Sequence, residues 1–280
     1  MTIKLVTDSA SDLSKSTAEN LGISVIPLYI NIGDESYLDG IDITRKEFYE
    51  RLPVMESPPT TSAPGIATFV KIYQTLIDEG ATGIVSVHVA SNLSNVHNVA
   101  RLAAESIKDF PIEVIDGGNL SLGTGLLTMI GNSVAAADKS MEEVVHTIRE
   151  TIRRTHTIAV LDTLEYLRRS GRLSHFKFRL GTMLDIKPMI RMTGGVIKLE
   201  MIRTQKQALK RLTEEVEKLA PFEKLAFVHT HAPQETLQQV KNRLANFIQQ
   251  KRDVIEEEVT PVIGSHIGPG AVGVSLVMKS

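Results

Sequence analysis

Cysteine is missing from all 280 residues. The chain therefore forms no disulfide, offers zinc no thiolate and has no thiol nucleophile, a composition compatible with a reducing cytoplasm. An excess of one charge is missing too: 31 Lys and Arg against 33 Asp and Glu leave a net charge of −2. Such a balance gives no global reason to bind nucleic acid or an anionic lipid surface. No uninterrupted apolar run is long enough to span a bilayer, and Met1–Asp8 lacks the charged, apolar and cleavage regions of a signal peptide. The expectation is a soluble, cytoplasmic protein without a transmembrane segment.

What the chain does contain is length enough for two domains or one large α/β domain, and an alternation of short apolar runs with helical patterns. Ile3–Thr7 reads as a strand, 12–21 as a helix stopped by Gly22, and the β-branched run 23–32 as a second strand. Thr44 and Glu47 have the spacing of a capping box. Apolar residues from Ile66 to Ile77 keep helical spacing; 83–89 is a buried strand, 93–107 a helix and 112–115 a strand. Strand, helix, strand order predicts a three-layer α/β/α domain with a parallel sheet over residues 1–154.

After the helix 141–154 the style changes. A strand at 157–161 and a helix at 164–169 precede two strand-like runs around Gly194-Gly195, a tight hairpin signal. Helices at 206–219 and 233–250, a strand at 225–229 and two last strands around the glycine-rich loop at 263–274 complete an α+β domain with a mixed sheet, residues 155–280. A ligand cleft is expected between the two domains.

Five stretches invite a chemical reading. Thr60-Thr61-Ser62-Ala63-Pro64 ends where a helix begins, so its hydroxyls either line an anion site at a helix start or merely cap it. Ser91-Asn92-Leu93-Ser94 follows a strand at the edge where parallel sheets bind ligands, with local capping again the bland alternative. The basic cluster Arg168, Arg169, Arg172, His175, Lys177 and Arg179 either docks an acidic partner or is a solvated face, and it lacks the interleaved aromatics of a nucleic-acid surface. His229 and His231 alternate on a strand as a two-histidine metal pair would, without an evident third ligand, and no metal is expected. The loop Ile263–Val274, with His266 and four glycines, matches neither nucleotide-binding fingerprint because β-like residues follow it. Nucleophilic catalysis is poorly supported too, with no G-x-S-x-G elbow and no assignable acidic partner for His266, which leaves a turn between two strands. Only with the family resemblance given below do the loop's glycines read as a close backbone approach to a ligand, with Pro269 stiffening the turn.

Taken in order, "TDSASDLS" (7–14), "TTSAPG" (60–65), "SNLS" (91–94), "LDTLEYLRRSGRLS" (161–174), "IKPMI" (186–190), "IRTQKQAL" (202–209) and "IGSHIGPGAVGV" (263–274) resemble the bacterial DegV family over the whole chain. The resemblance implies a non-enzymatic lipid-binding protein that buries a long-chain fatty acid such as palmitate between its domains. It presents the carboxylate to a separate ATP-binding fatty acid kinase subunit. By the same resemblance Thr61 and Ser94 bind the carboxylate, His266 lies beside it, Arg203 of "IRT" is a basic neighbour and Ser62 a further contact. No cofactor is implied beyond the acyl ligand, and transient contact with a membrane surface is compatible with it. Two positions depart from the family pattern: Asn95-Val96-His97 replaces Gly-Thr-Tyr, and Gly117-Gly118 stands where a hydroxyl residue is common. The alternatives are an enzyme akin to the substrate-binding half of dihydroxyacetone kinases, with His266 linked to a small ketone, and a regulatory module that docks through the basic cluster.

Overall fold

Two runs without polar alternation, Ile3–Asp8 and Gly83–His88, lie side by side at the centre of a sheet, as strands covered on both faces do. The structure is a computed structural model and describes residues 2–172, 186–248 and 254–280. Its first elements are β1 (Ile3–Asp8), α1 (Lys15–Leu21), β2 (Ser24–Ile26), β3 (Tyr29–Ile32), β4 (Glu35–Leu38), α2 (Arg45–Arg51), β5 (Thr60–Ser62), α3 (Ile66–Asp78), β6 (Gly83–His88), α4 (Val96–Ser106), β7 (Ile112–Asp116), α5 (Leu122–Ala136) and α6 (Met141–Ile152). Then come β8 (Thr155–Val160), α7 (Glu165–Arg169), β9 (Lys187–Thr193), β10 (Val196–Ile202), α8 (Gln205–Glu217), β11 (Phe222–His229), α9 (Gln234–Arg243), α10 (Ala245–Ile248), β12 (Ile255–Glu258), α11 (Pro261–Ile267) and β13 (Val272–Met278).

The strands form a parallel sheet in the order β2-β1-β6-β7 and a mixed sheet in the order β10-β9-β8-β13-β11-β12, antiparallel except for β11 and β12. The α/β class with one parallel and one mixed sheet is therefore as expected. A third, antiparallel sheet, β4-β3-β5, was not. The run 23–32 is not one strand: Pro27 breaks it, so β2 joins the parallel sheet while β3 turns into the small one.

Helix α5 is the keystone, packing on β1 and β6 from one side and on β8, β13 and β11 from the other. Sequence patterning gives no sign of it, because a helix buried between two sheets has no polar face and so no stripe. Its glycines also count against helix on propensity. They are there for space: a Cβ on Gly125 would sit 2.7 Å from the Ser11 carbonyl oxygen.

Local signals were partly misread. The helix expected from Asp12 starts at Lys15 under a Ser14 cap, and Asp12 is left in the left-handed conformation (φ 57°). Thr44 accepts from the Glu47 amide, but the Glu47 carboxylate reaches Arg51, so only half of the box forms. The complete box is Ser140 with Glu143. The histidine loop corrects most: Pro261–Ile267 is a helix, and the turn to β13 occupies only residues 268–271.

Candidate functional site

The carboxyl ends of β1 and β6 meet where chain connections leave the parallel sheet in opposite directions, the position at which α/β sheets bind ligands. A cavity of about 860 Å³ opens there, within the ~300–1,000 Å³ usual for small-molecule sites. Leu28, Val89, Leu120, Ile190, Ile197 and Val262 supply much of its aliphatic wall. Thr61, Asn92, Ser94, Asn95, Arg172 and His266 supply polar groups. Ile190 and Ile197 belong to the β9–β10 hairpin, so the cavity is closed by both sheets together.

Thr61 reaches it from a strand, not from a helix start. It pairs with Ile30 of β3 and shares that face, while Thr60 and Ser62 point to the opposite face, where Asn31 Nδ2 donates to both hydroxyls at 3.4 Å. Thus Ser62 borders the cavity without aiming its hydroxyl along with Thr61, and it caps no helix. The cap of α3 is Gly65.

His266 comes from the last turn of α11, and its Nε2 lies 2.9 Å from Thr61 Oγ1. Burial, reinforced by the nearby Arg172 guanidinium, pushes its pKa down to about 3, so the ring is neutral at physiological pH. Among the described residues its Nδ1 is buried without a hydrogen-bond partner. Two of the glycines around it make room for aromatic rings. A Cβ on Gly264 would stand 2.5 Å from the Tyr49 hydroxyl, and one on Gly268 (φ 73°) 2.1 Å from the Tyr166 ring. The two tyrosines clamp α11 and so fix the histidine.

Ser94 lies in the turn between β6 and α4, and its Oγ accepts loosely from the Val96 amide at 3.4 Å. Of the three residues that follow it, Asn95 lines the cavity, Val96 is buried in the core and His97 is half-buried. The same loop and the connection after β7 dock the hairpin: Asn92 Nδ2 donates to the Gly195 carbonyl at 2.9 Å, and the Gly195 amide donates to the Gly118 carbonyl at 2.7 Å. Arg203, at the end of β10, is exposed and does not line the cavity. Arg172 does. Sequence reading had grouped it with a charge run, and no spacing rule separates one arginine of a cluster from its neighbours. Of that cluster, His175, Lys177 and Arg179 lie outside the described residues, as do Ser174 and the end of the helix expected to run to Gln250.

His229 ends β11, and His231 lies beyond it at φ 48°, stacked on Tyr49 and 3.2 Å from Glu258, so the two do not share a strand face. Among the described residues no group of three or more His, Cys, Asp or Glu side chains is placed to hold a metal ion. Among them also, no helix is long and apolar enough to cross a membrane.

Comparison with known proteins places this geometry in a family. A profile described as "Uncharacterised protein, DegV family" matches residues 2–279. A DegV domain-containing protein of Caldanaerobacter subterraneus subsp. tengcongensis is 33% identical over 276 residues, covering 97% of each chain. Among solved structures, the chain is similar to a DegV family protein from Thermus thermophilus described as binding fatty acid, with a TM-score of 0.89, 26% identity and 100% of both chains covered. It is also similar to DegV of Bacillus subtilis, described as a fatty acid binding protein, with a TM-score of 0.87, 28% identity and 100% of both chains covered.

Proposed function

The chain belongs to the DegV family, and on that premise we propose that it binds a long-chain fatty acid, such as palmitate, in the cavity between its sheets. The observation that carries the reading is a single cavity that joins an aliphatic wall to the Thr61–His266 pair, Ser94 and Arg172. Each methylene buried contributes about 0.8 kcal/mol, so a long acyl tail supplies roughly 10 kcal/mol before the costs of association. The carboxylate must exchange water for hydrogen bonds. With its ring hydrogen on Nε2, neutral His266 donates to Thr61 Oγ1 and leaves the threonine hydroxyl hydrogen for the anion. Ser94 offers a second hydroxyl, and Arg172 a cation that needs no proton from the histidine. We include Ser62 as a neighbour through its main chain, and Arg203 as a distant positive charge only.

Asn92, Asn95 and Ser62 line the cavity and are exposed, so its polar side opens to solvent. An exposed head group supports the further proposal that the protein is a substrate-presenting subunit. In this reading a separate ATP-dependent kinase phosphorylates the carboxylate, while this chain is no catalyst alone and uses no cofactor. The division into units at 154/155, and a cytoplasmic location, belong to the same proposal. A lipid mass spectrum of the purified protein tests the first step: an acyl chain in the extract and saturable uptake of hexadecanoate are expected, and their joint absence would sink the reading. The kinase role is tested by adding a cognate ATP-binding subunit and assaying acyl phosphate.

A further inference from the structure

Beneath the cavity lie four polar side chains with no solvent contact: Asp8, Ser86, His88 and Tyr73 are each 0% exposed. The Tyr73 hydroxyl donates to Ser86 Oγ at 2.9 Å, Ser86 Oγ lies 2.7 Å from His88 Nε2, and His88 Nδ1 lies 2.9 Å from Asp8 Oδ2. Donor counting orients the chain. Ser86 already accepts from Tyr73, so its own hydrogen goes to Nε2 and the ring hydrogen sits on Nδ1, directed at Asp8. Phe69 packs edge-on to the imidazole at 5.6 Å and holds its plane. Serine, histidine and aspartate are in the order of a nucleophile triad, but this serine is sealed from any substrate and its oxygen is engaged by tyrosine.

The use of the chain lies at its other end. Asp8 Oδ1 accepts the Ala10 amide at 3.0 Å, and Oδ2 accepts the Val89 amide at 3.2 Å. Both Ala10, just after β1, and Val89, just after β6, line the cavity. After Val89 the chain makes the turn that carries Ser94, in which the Ala90 carbonyl accepts from the Leu93 and Ser94 amides at 2.9 and 3.2 Å. The turn capped by Asp8 also presents Ser9 Oγ to the Leu28 amide at 3.2 Å. Leu28 leads into β3, whose Ile30 pairs with Thr61. One buried carboxylate is thereby tied to the wall that carries each head-group hydroxyl.

We propose that Asp8, oriented by the His88–Ser86–Tyr73 chain, is a positioning residue that sets the separation of Thr61 and Ser94 and so the protein's discrimination for a carboxylate; this rests on the fatty-acid reading above. A carboxylate in this place needs every donor, because a buried anion with a partner missing shifts rather than tolerates the loss.

The test compares dissociation constants for hexadecanoate and 1-hexadecanol, which share a tail and differ at the head. Asp8→Asn and His88→Leu are expected to reduce the preference for the acid about tenfold while alcohol affinity changes less than about twofold. His88→Asn, whose amide nitrogen takes the place of Nδ1, keeps the donor to Asp8 and is expected to retain the preference within about threefold. Ser86→Ala, the mildest break in the chain, is expected to lower it about threefold and serves if the harsher variants do not fold. Equal weakening of both ligands, or an unchanged preference in folded Asp8→Asn or His88→Leu, or in Ser86→Ala where those two do not fold, overturns the inference and leaves the fatty-acid reading standing. Wild-type protein that binds neither ligand overturns both.

Discussion

On the proposed function, a neutral histidine beside a threonine hydroxyl would make head-group recognition a matter of hydrogen bonds, with Arg172 as the neighbouring charge. Thr61→Val keeps the shape and removes the donor, so hexadecanoate binding is expected to weaken about tenfold to a hundredfold, with 1-hexadecanol nearly unaffected. Titration calorimetry on both ligands checks it. Two other residues carry a pH dependence of stability. Asp39 is 4% exposed and among the described residues neither carboxylate oxygen has a hydrogen-bond partner, the Ser9 and Thr260 hydroxyls beside it standing short of bonding geometry. Burial, with the charge of Asp12, pushes its carboxyl up to about 7; burial likewise pushes Asp12 up to about 6 against the pull of Arg45, Ser121 and Thr260. In the unfolded chain both titrate near 3.8, so the folded state keeps protons that the unfolded chain has already lost. Their contribution is full below about pH 4 and is lost as the pH rises to about 7, on the order of 4 kcal/mol for Asp39. Asp39→Asn removes that titration, so its melting temperature relative to wild type should climb between about pH 4 and about pH 8. A constant difference across that range would show that Asp39 does not titrate there.

At the scale of elements, what could be read from sequence is what has a one-sided environment or a terminal signal. β1, β6 and the Gly194-Gly195 hairpin were legible, because buried β-branched runs and two residues at positive φ (52° and 78°) leave their mark in residue type. α5 was not, since it is covered on both sides, and α11 was taken for a loop because Gly264 and Gly268 make room for tyrosines that are distant in sequence. Thr61 and Ser94, proposed here for the head group, were singled out by motif, but that Thr61 sits on a strand edge depends on β3, which reading 23–32 as one strand concealed. Gly125 puts the competition in α5 to measurement. Alanine would gain about 1 kcal/mol of helix propensity, yet its Cβ meets the Ser11 main-chain oxygen at 2.7 Å, which cannot rotate aside. Overpacking of this kind costs about 1–3 kcal/mol, so Gly125→Ala is expected to destabilise on balance, read as a lower urea midpoint with an unchanged slope.

For the whole molecule the decisive fact is that the two large sheets share a core. Leu5 of β1, Leu126 of α5, Val228 of β11 and Val277 of β13 belong to one continuous buried cluster. Polar ties cross the same boundary: the Thr260 amide donates to Asp12 Oδ1 at 2.8 Å, the Thr260 hydroxyl donates to the Ser9 carbonyl at 3.1 Å, and Arg45 pairs with Glu257 at 3.3 Å. The proposed division at 154/155 would therefore separate sheets without separating folding units. A fragment of residues 1–154 would expose the face of α5 that packs on β8, β11 and β13, and it is expected to aggregate or remain partly unfolded when made alone. The intact chain should melt in one calorimetric transition, because opening either sheet strips the shared helix. Hexadecanoate at about 100 times its dissociation constant should stabilise that single transition by about 2.7 kcal/mol if, as proposed, it fills the cavity between both sheets and binds only the folded state. Two resolved transitions, with only one moved by ligand, would contradict a shared core and assign the cavity to one sheet alone.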